Sequence, residues 1–443
     1  MIPVTDTDLH VVLLTRAVFP LHGSGGLERH VHDLIRHLAG RGVRVTVITR
    51  PPTAGGIESL ETLGDGHGRV STRLVPYRTF PFAGRRGTTV LDRSTAYPWF
   101  GWRAGRLAAR LVRAGGIQIV HGLGASCLGY ALARRRDPLE TVPLVFNPQG
   151  LEEFGATDPT RARLKRVAYR PLQQAVRACA RVADQVIATD RVLEPVLLRT
   201  LPVTRARVRV VPNAIDLTEL DRCTGTAAAD VLRRRLGLDG DQPLLLSVGR
   251  IEESKGFQFL VEALARLDAD GSTAAGQGGW RWVLVGDGSY RDRLERAVRT
   301  AGLTHRVTFV GRVDDGELHG WYEAASLFVH PTLYEGSSLV TLEAMAHRRA
   351  VIASRAGGLP DKVKPGVSGW LVEPGDAVGL ASAINEALGA PSCLVGMGNA
   401  GRVIVEREFS WTTAADRLLE LYRDVLNGVS SRGSDIGSLS HGQ

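Results

Sequence analysis

The feature that most constrains the fold is a regular alternation of short apolar segments with amphipathic helical segments along the whole 443-residue chain. Short apolar runs favour buried strands, and apolar residues at helical spacing favour helices that pack on a sheet. Their alternation is typical of βαβ units, which build parallel sheets. Predicted strands cover residues 11–15, 43–49, 70–76, 117–121, 142–147, 185–189, 207–211, 243–249, 281–286, 307–310, 327–330, 350–354 and 367–372. We therefore predict an α/β fold.

The length and the spacing of these segments predict two domains. A chain of 443 residues exceeds the usual size of a single domain. Strand character is lost between Ile215 and Gln242, so we place the domain connection there. The prediction is two doubly wound α/β domains, 1–214 and 215–410, followed by a helix at 411–428. Residues 429–443 are rich in Ser and Gly and are predicted to be a disordered tail.

The charge of the chain is unevenly distributed. Residues 1–212 hold 31 basic and 16 acidic side chains, a net +15, whereas residues 213–443 hold 24 and 30, a net −6. This asymmetry suggests an anionic partner, either a surface or an acceptor molecule, for the first half. Only four of the 55 basic residues are lysines, so a bias towards arginine in the proteome is the alternative reading of the basicity.

The cysteines and the N-terminus indicate the compartment. Four scattered cysteines without a Cys-x-x-Cys pair fit a reducing environment better than a disulfide framework or a zinc site. The N-terminus lacks a basic region followed by an apolar core, so no signal peptide is expected, and no apolar run is long enough for a spanning helix. We expect a cytoplasmic protein, with peripheral contact with an anionic membrane as an open alternative.

Two glutamates eight residues apart, Glu335 and Glu343, mark the strongest candidate site. Glu335 is predicted to lie in the loop after the strand 327–330, and Glu343 in the second turn of the helix that follows. Three small residues, Gly336, Ser337 and Ser338, precede Leu339 at the predicted helix start. Backbone N–H groups at a helix N-terminus favour an anion. Phosphate on these amides and carboxylates on sugar or ribose hydroxyls would suit a sugar nucleotide.

This segment resembles the C-terminal signature of the retaining glycosyltransferases of family 4 (group 1), which have the two-domain GT-B fold. The resemblance continues through 350–360 and 369–376 and covers most of the chain, with its strongest matches between roughly 245 and 376. It implies two Rossmann-like domains facing an interdomain cleft, with the helix 411–428 packing back onto the first domain. It also implies that Glu335 positions the transferred sugar and that Glu343 holds the ribose.

A second motif, Ser247-Val-Gly-Arg-Ile-Glu-Glu-Ser-Lys-Gly256, follows an apolar strand and precedes a helix. Ligands of open parallel sheets bind at the edge formed by the carboxyl ends of the strands. There, Arg250 and Lys255 would stabilise the charge of a departing diphosphate. A surface salt bridge with Glu252 or Glu253 is the alternative. The family's Gly-Arg…Lys-Gly pair matches these positions.

Further loops match donor-binding parts of the family. The turn 23–30 is not a Gly-x-Gly-x-x-Gly fingerprint but looks like the family's Gly-Gly-x-Glu loop. By resemblance, the loops at 285–289 and 309–313 line the nucleotide, although ordinary turns would look the same. The predicted donor-binding residues in all these loops are Gly25, Gly26, Gly249, Gly286, Asp287, Arg312, Val313, Gly336, Ser337, Ser338, Leu339 and Glu343.

The acceptor side is less well defined. Asn213 lies in a stretch that resembles the family's Pro-Asn-Gly-Val-Asp, and a simple Asx turn is its alternative. His121 is a second candidate, with a satisfied strand-end histidine as the alternative. Many family members carry a His where this chain has Gln149. Glutamine can hydrogen-bond a reacting oxygen but cannot take a proton, which favours a front-face mechanism in which the departing phosphate deprotonates the acceptor.

Two other features concern metal binding and membrane contact. The Asp-x-Asp pairs at Asp6/Asp8 and Asp268/Asp270 do not lie where a metal-dependent glycosyltransferase would need them, so no metal and no cofactor is expected. The basic helical segment 158–183 could rest on anionic lipid headgroups, or it could be a solvated face over a core stripe.

Together these patterns predict a metal-independent hexosyltransferase that uses a UDP- or GDP-sugar and a glycan, a lipid-linked or a small-molecule acceptor. Arg250, Lys255, Glu335 and Gln149 are the predicted catalytic residues. A same-fold nucleotide-sugar epimerase or phosphorylase and a nucleotide-sugar-binding protein without turnover are the alternatives. Nucleic-acid binding is disfavoured because interleaved aromatics and known binding motifs are lacking.

Overall fold

A computed structural model describes residues 9–23, 25–52, 68–78, 88–136, 142–149, 151, 154, 167–223, 225–238, 242–269 and 279–438. Within these residues the strands are β1 His10–Leu14, β2 Arg44–Thr49, β3 Val70–Leu74, β4 Ile119–Leu123, β5 Leu144–Asn147, β6 Gln185–Ala188, β7 Val208–Val210, β8 Leu244–Val248, β9 Arg281–Val285, β10 Val307–Gly311, β11 Leu327–His330, β12 Ala350–Ser354 and β13 Gly369–Val372. All thirteen predicted strands are present, each within two residues of its predicted ends.

The α-helices in the described residues lie between these strands and after the last of them. They are α1 Gly26–Gly40, α2 Thr88–Arg113, α3 Leu128–Arg136, α4 Arg170–Val182, α5 Leu193–Thr200, α6 Leu217–Cys223, α7 Thr226–Arg235, α8 Phe257–Ala269, α9 Arg291–Thr300, α10 Asp315–Ala324, α11 Leu339–Ala346, α12 Leu359–Lys362, α13 Ala377–Gly389, α14 Pro391–Glu408 and α15 Trp411–Ser438.

The chain divides into two compact units. The first unit is Met1–Asn213 together with Trp411–Gln443, and its seven-stranded sheet has the order β3-β2-β1-β4-β5-β6-β7. Every pairing in this sheet is parallel. The order reverses between β1 and β4, and ligands of such sheets bind at the carboxyl edge near that point.

The second unit is Ala214–Ser410 and holds a six-stranded parallel sheet with the order β10-β9-β8-β11-β12-β13. Its central strands β8, β11 and β12 are buried on both faces, as is usual for parallel sheets, whereas the edge strand β10 is only partly buried. Leu246 and Val351 pack in the core on one face, whereas Leu245 and Ile352 pack in the core on the other. The order of this sheet reverses between β8 and β11, so the loops after these two strands form its candidate ligand edge. The predicted α/β fold with parallel sheets is confirmed.

Helix α15 belongs to the first unit, although it follows the second unit in sequence. Its first residue, Trp411, stacks on His37 of α1, and Arg41 forms a 2.9 Å ion pair with Asp416. The helix continues to Ser438, beyond residue 428 where the sequence predicted a tail to begin. Residues 439–443 lie outside the described residues.

Among the described residues no single helix is long and apolar enough to cross a membrane, although α13 and α14, bent by 103° at their junction, pass that test as a pair. Part of the basic segment, 158–166, lies outside the described residues. Its remainder forms α4, which begins at Arg170 with Pro171 in its first turn and buries Leu172 and Val176.

Candidate active site

Lys255 lies at the carboxyl edge of the second sheet, in a turn whose backbone conformation requires a glycine directly after it. A short 3-10 turn, Glu253–Lys255, ends at Gly256, which has a φ of +71°. A Cβ at this position would collide with the carbonyl oxygen of Pro331, so the turn is pressed against the loop after β11. The Leu333 N–H also donates to the Ser254 carbonyl at 2.9 Å. These contacts fix the two loops next to each other.

Glu335 lies in the loop after β11, as the sequence predicted, and receives two hydrogen bonds on one oxygen. Lys255 Nζ donates to Glu335 Oε2 at 2.7 Å, and His330 Nε2 lies 2.9 Å from the same atom. The side chains of Lys255 and Glu335 are only 16% and 14% exposed, and His330 is fully buried at the end of β11. The structure therefore brings together two predicted catalytic residues that are 80 positions apart.

The electrostatics of Glu335 follow from these partners. Burial by itself raises the pKa of the carboxyl, but the hydrogen bond from His330 and the positive charge of Lys255 outweigh it and bring the pKa to about 2. The carboxylate is therefore ionised at neutral pH. Oε1 accepts no hydrogen bond from the other described residues, so this oxygen can accept from a ligand hydroxyl.

His330 was missed by the sequence reasoning. It is the last residue of β11, and its ring stacks on Phe328 with centroids 6.1 Å apart. Its Nδ1 is buried without a hydrogen-bond partner among the described residues, whereas its Nε2 faces Glu335. A histidine at the carboxyl end of a predicted parallel strand, five residues before the candidate glutamate, is the signal that could have identified it.

The start of α11 follows Glu335 directly. Ser338 is the N-cap, and its Oγ accepts from the Thr341 N–H at 3.4 Å. The Ser337 hydroxyl is buried without a partner among the described residues, and Leu339 is the first helical residue. N–H groups of a first helical turn have no partner within the helix. The predicted donor-binding positions Gly336, Ser337, Ser338 and Leu339 thus lie together at one helix N-terminus.

The loop after β12 supports this helix start. Gly357 has a φ of +51°, and a Cβ there would collide with the carbonyl oxygen of Glu335. The neighbouring Gly358 N–H donates to the Gly336 carbonyl at 3.1 Å. Because only glycine allows this approach, the backbone of the candidate site is fixed from two sides.

Glu343 lies in the second turn of α11, half-buried, and its partner is a tyrosine that the sequence reasoning also missed. The Tyr322 hydroxyl donates to Glu343 Oε2 at 2.7 Å. Burial and then the negative charge of Glu343 raise the pKa of Tyr322 far above its usual range, so this hydroxyl stays a donor. The Tyr322 ring stacks on His347 at 5.3 Å, and His347 Nδ1 bonds to Glu323 at 2.6 Å.

Arg250, the third predicted catalytic residue of this unit, does not join the Lys255–Glu335 pair. Its guanidinium forms a 2.6 Å ion pair with Glu252, and its side chain is 70% exposed. This is the surface salt bridge that the sequence reasoning held as the alternative. Arg250 follows Gly249, and the Gly249 N–H donates to the Val285 carbonyl of β9 at 3.0 Å.

The remaining donor loops lie at the carboxyl ends of β9 and β10. The Gly286 N–H donates to the Gly311 carbonyl at 2.8 Å, which joins the two loops. Asp287 is half-exposed and accepts from the Gly288 N–H at 2.8 Å. Arg312 is exposed, whereas Val313 packs against the core.

The predicted site residues of the first unit are not joined to one another by hydrogen bonds within the described part of the chain. Gly25 is the N-cap of α1 and Gly26 its first residue, whereas Ser24 lies outside the described residues. Gln149 has a φ of +64°, and its N–H donates to Asn147 Oδ1 at 3.0 Å, an Asx-type turn. Asn213 is half-buried.

His121 lies inside the first unit, at 1% exposure, under helix α15. Its Nδ1 lies 2.6 Å from the Tyr422 hydroxyl, and its Nε2 is buried without a partner among the described residues. Burial and then the nearby His30 lower the pKa of His121 to about 3, so the ring is neutral. The structure therefore shows a buried strand histidine with only one of its two ring nitrogens hydrogen-bonded among the described residues.

The described residues contain no group of three or more His, Cys, Asp or Glu side chains that could hold a metal ion. Of the Asp-x-Asp residues, Asp268 pairs with Arg306 at 2.6 Å, whereas Asp6, Asp8 and Asp270 lie outside the described part of the chain.

Comparison with known proteins identifies relatives along almost the whole chain. Residues 242–390 match the model of the "Glycosyl transferases group 1", and residues 24–219 match that of "Glycosyltransferase Family 4". An alpha-maltose-1-phosphate synthase of Mycobacterium tuberculosis is 30% identical over 430 residues, covering 94% of this chain and 100% of the relative.

Solved structures show the same fold. Sucrose-phosphate synthase from Thermosynechococcus elongatus superposes with a TM-score of 0.72 at 26% identity, over 95% of this chain and 100% of its own. HepE of Anabaena, solved in complex with UDP-glucose, superposes with a TM-score of 0.66 at 20% identity, over 93% of this chain and 99% of its own.

Proposed function

Because the chain belongs to the family 4, group 1 glycosyltransferases and has their GT-B fold, we propose that it moves a hexosyl group from a nucleoside-diphosphate sugar to an acceptor hydroxyl, with retention at the anomeric carbon. The observation that carries this proposal is the pairing of Lys255 with Glu335 at 2.7 Å beside the N-terminus of α11. A cation, a carboxylate and a set of N–H groups without partners in their own helix, all at one place, suit a sugar pyrophosphate. The related HepE was solved with such a ligand, UDP-glucose.

In this proposal the second unit binds the donor. The pyrophosphate lies on the N–H groups of residues 337–339, and Lys255 neutralises the charge that grows as the bond to the hexose breaks. Glu335 Oε1 accepts a hydrogen bond from a sugar hydroxyl, while His330 and Lys255 keep Oε2 in place. Glu343, oriented by Tyr322, accepts from the ribose.

Arg250 contributes after it exchanges its partner. Its pair with Glu252 is solvent-exposed, and exposed pairs contribute only about 0–1 kcal/mol. The free-energy cost of leaving Glu252 for a diphosphate is therefore small. We propose that Arg250 makes this exchange when the donor binds.

The acceptor binds the first unit in this proposal, and it is a glycan, a lipid-linked sugar or a small molecule. Gln149 cannot take a proton from it. The acceptor proton therefore passes to the phosphate oxygen of the leaving group, on the same face as the attack, and no metal ion is required. The residues of the chain contribute positioning and electrostatic stabilisation.

The test begins with binding. Thermal stabilisation of the protein by UDP, GDP, ADP, TDP and CDP identifies the preferred base. Transfer is then followed with the matching sugar nucleotides, and the anomeric configuration of the product is read by NMR. Products formed with and without an acceptor separate transfer from epimerisation and phosphorolysis.

The variants test the site. Lys255→Ala and Glu335→Ala should each lower transfer at least about a hundredfold, the magnitude typical of removing one electrostatic stabiliser of a transition state. Lys364→Ala is the matched control, because among the described residues the Lys364 side chain donates only to the Pro360 carbonyl. Near-normal transfer by both site variants, with nucleotide binding intact, would refute the assignment.

A further inference from the structure

A second charged cluster lies at the carboxyl edge of the first unit's sheet. Arg16 follows β1, Arg50 follows β2 and Tyr77 follows β3. These three strands are neighbours in the sheet, so their carboxyl ends meet at one edge. We call Arg16, Arg50 and Tyr77 the arginine edge. None of the three is among the site residues that the sequence analysis predicts.

Arg50 is the unusual member of the arginine edge, because its guanidinium has no hydrogen bond or ion pair with the other described residues. It lies over the Tyr77 ring at 5.5 Å, and its Nε is buried without a partner. Only its main-chain carbonyl is engaged, by His22 Nε2 at 3.0 Å. A guanidinium has five N–H donors, and a buried donor without an acceptor is costly.

The neighbours of Arg50 do not supply the missing acceptor. Asp92 and Glu28 attract it electrostatically but form no ion pair with it. Asp92 instead accepts a hydrogen bond from the Tyr77 hydroxyl at 3.0 Å. Burial and then the positive charge of Arg16 lower the pKa of Arg50, and they outweigh the attraction of Glu28 and Asp92.

Arg16 and Tyr77 complete the edge. The Arg16 guanidinium lies over the Tyr97 ring at 4.9 Å and beside the Tyr77 hydroxyl. Burial raises the pKa of Tyr77 to about 12, so its hydroxyl stays neutral. Each of these two guanidinium groups lies over an aromatic ring, and the planar donor pattern of a guanidinium matches phosphate or carboxylate oxygens.

We propose that the arginine edge binds an oxyanion of the acceptor, a phosphate monoester or a carboxylate, with Arg50 as its principal ligand and Arg16 as the second. This inference rests on the proposed function, and it assigns the acceptor to a chemical class. The net charge of +15 in residues 1–212 supports it, because this field attracts anions to the first unit. The edge then selects charged acceptors over neutral sugars.

The experiment uses the full chain with its preferred nucleoside diphosphate at saturation, so that the donor phosphate site is filled. Inorganic phosphate, glucose 6-phosphate, glucuronate and glucose are titrated by calorimetry. We expect binding of inorganic phosphate and of at least one charged sugar, and none of glucose. The two charged sugars distinguish a phosphate site from a carboxylate site.

Variants then locate the binding. Arg50→Gln should weaken oxyanion binding at least tenfold. Arg50→Lys keeps the positive charge but loses the planar guanidinium, so it should weaken oxyanion binding less than Arg50→Gln does. This more conservative variant also shows whether a loss of binding in Arg50→Gln results from a folding defect. Arg73→Gln is the matched control, because Arg73 is an exposed arginine on β3, and it should change the affinity less than twofold.

The inference is overturned if the wild-type protein binds none of the oxyanions, or if Arg50→Gln binds them as well as Arg73→Gln does. Stabilisation by the nucleoside diphosphate, measured on the same samples, keeps the two proposals apart. Intact nucleotide binding without oxyanion binding defeats only the arginine edge. A wild-type protein that binds no nucleotide defeats the proposed function itself.

Discussion

Replacing Glu335 by glutamine tests the electrostatics of the candidate site by means of stability. The side chain keeps its shape and Oε1, but the carboxylate charge that faces Lys255 and His330 is lost. The pKa of Glu335 is about 2, compared with an ordinary value of 4.5. Since one pKa unit corresponds to about 1.4 kcal/mol, the charged form contributes about 3 kcal/mol to the free energy of unfolding at neutral pH.

The sign of the pH dependence follows from the lowered pKa. A carboxyl group with a lower pKa in the folded state stabilises the fold above its unfolded pKa, and this contribution disappears as the pH falls from 4.5 towards 2. The difference in unfolding free energy between the wild type and Glu335→Gln should therefore shrink by about 1.4 kcal/mol between pH 7 and about pH 3.5.

The assay is hydrogen exchange of peptides that cover β8 and β11, which reports on the second unit separately from the first. The matched control is Glu373→Gln, because Glu373 and Arg355 form a 3.1 Å ion pair whose side chains are 69% and 50% exposed. An exposed pair should change the stability by less than about 1 kcal/mol at either pH. A Glu335→Gln effect that is as small as the control, or that stays constant with pH, would refute the reasoning.

Three further outcomes are expected. Tyr322→Phe removes the hydrogen bond to Glu343 and should raise KM for the donor about tenfold, while kcat changes less than twofold. Steady-state kinetics measures both constants. A fall in kcat as large as the rise in KM would contradict a role in ribose binding. Gly256→Ala should destabilise the second unit by about 2 kcal/mol or more in thermal unfolding. The reason is that residue 256 has a φ of +71° and that the new Cβ would collide with the Pro331 carbonyl. Gly396→Ala is the control and should not destabilise the unit, because Gly396 lies on a helix with open space around it. Transfer after dialysis against EDTA should stay within twofold of the untreated rate, and recovery of a lost activity by Mg²⁺ or Mn²⁺ would overturn the proposed metal independence.

The local pattern of the sequence was sufficient for the elements of the fold. Strand and helix formation depend mainly on the spacing of apolar residues and on turn chemistry, and both can be read from neighbouring positions. The same is true of the start of α11, where Ser338 caps the helix as small polar residues before an apolar run predict. The position of Glu335 in the preceding loop follows from the same pattern.

Partners that lie far apart in the sequence could not be predicted in this way. His330 and Tyr322 were not recognised as the partners of Glu335 and Glu343, because strand ends and helix faces carry many such side chains and only packing selects one. Arg250 shows the opposite case, since its neighbour Glu252 is two residues away and the surface ion pair was foreseen as an alternative.

The sequence by itself therefore determined two α/β units, each with a parallel sheet, and the loops that carry the candidate site residues. The tertiary structure alone decided which side chains meet: Lys255 with Glu335 across 80 residues, and His121 with Tyr422 across 301. The physical reason is that strand formation depends on local periodicity, whereas the distance between two side chains depends on strand order and on close approaches such as that of Gly256 to Pro331.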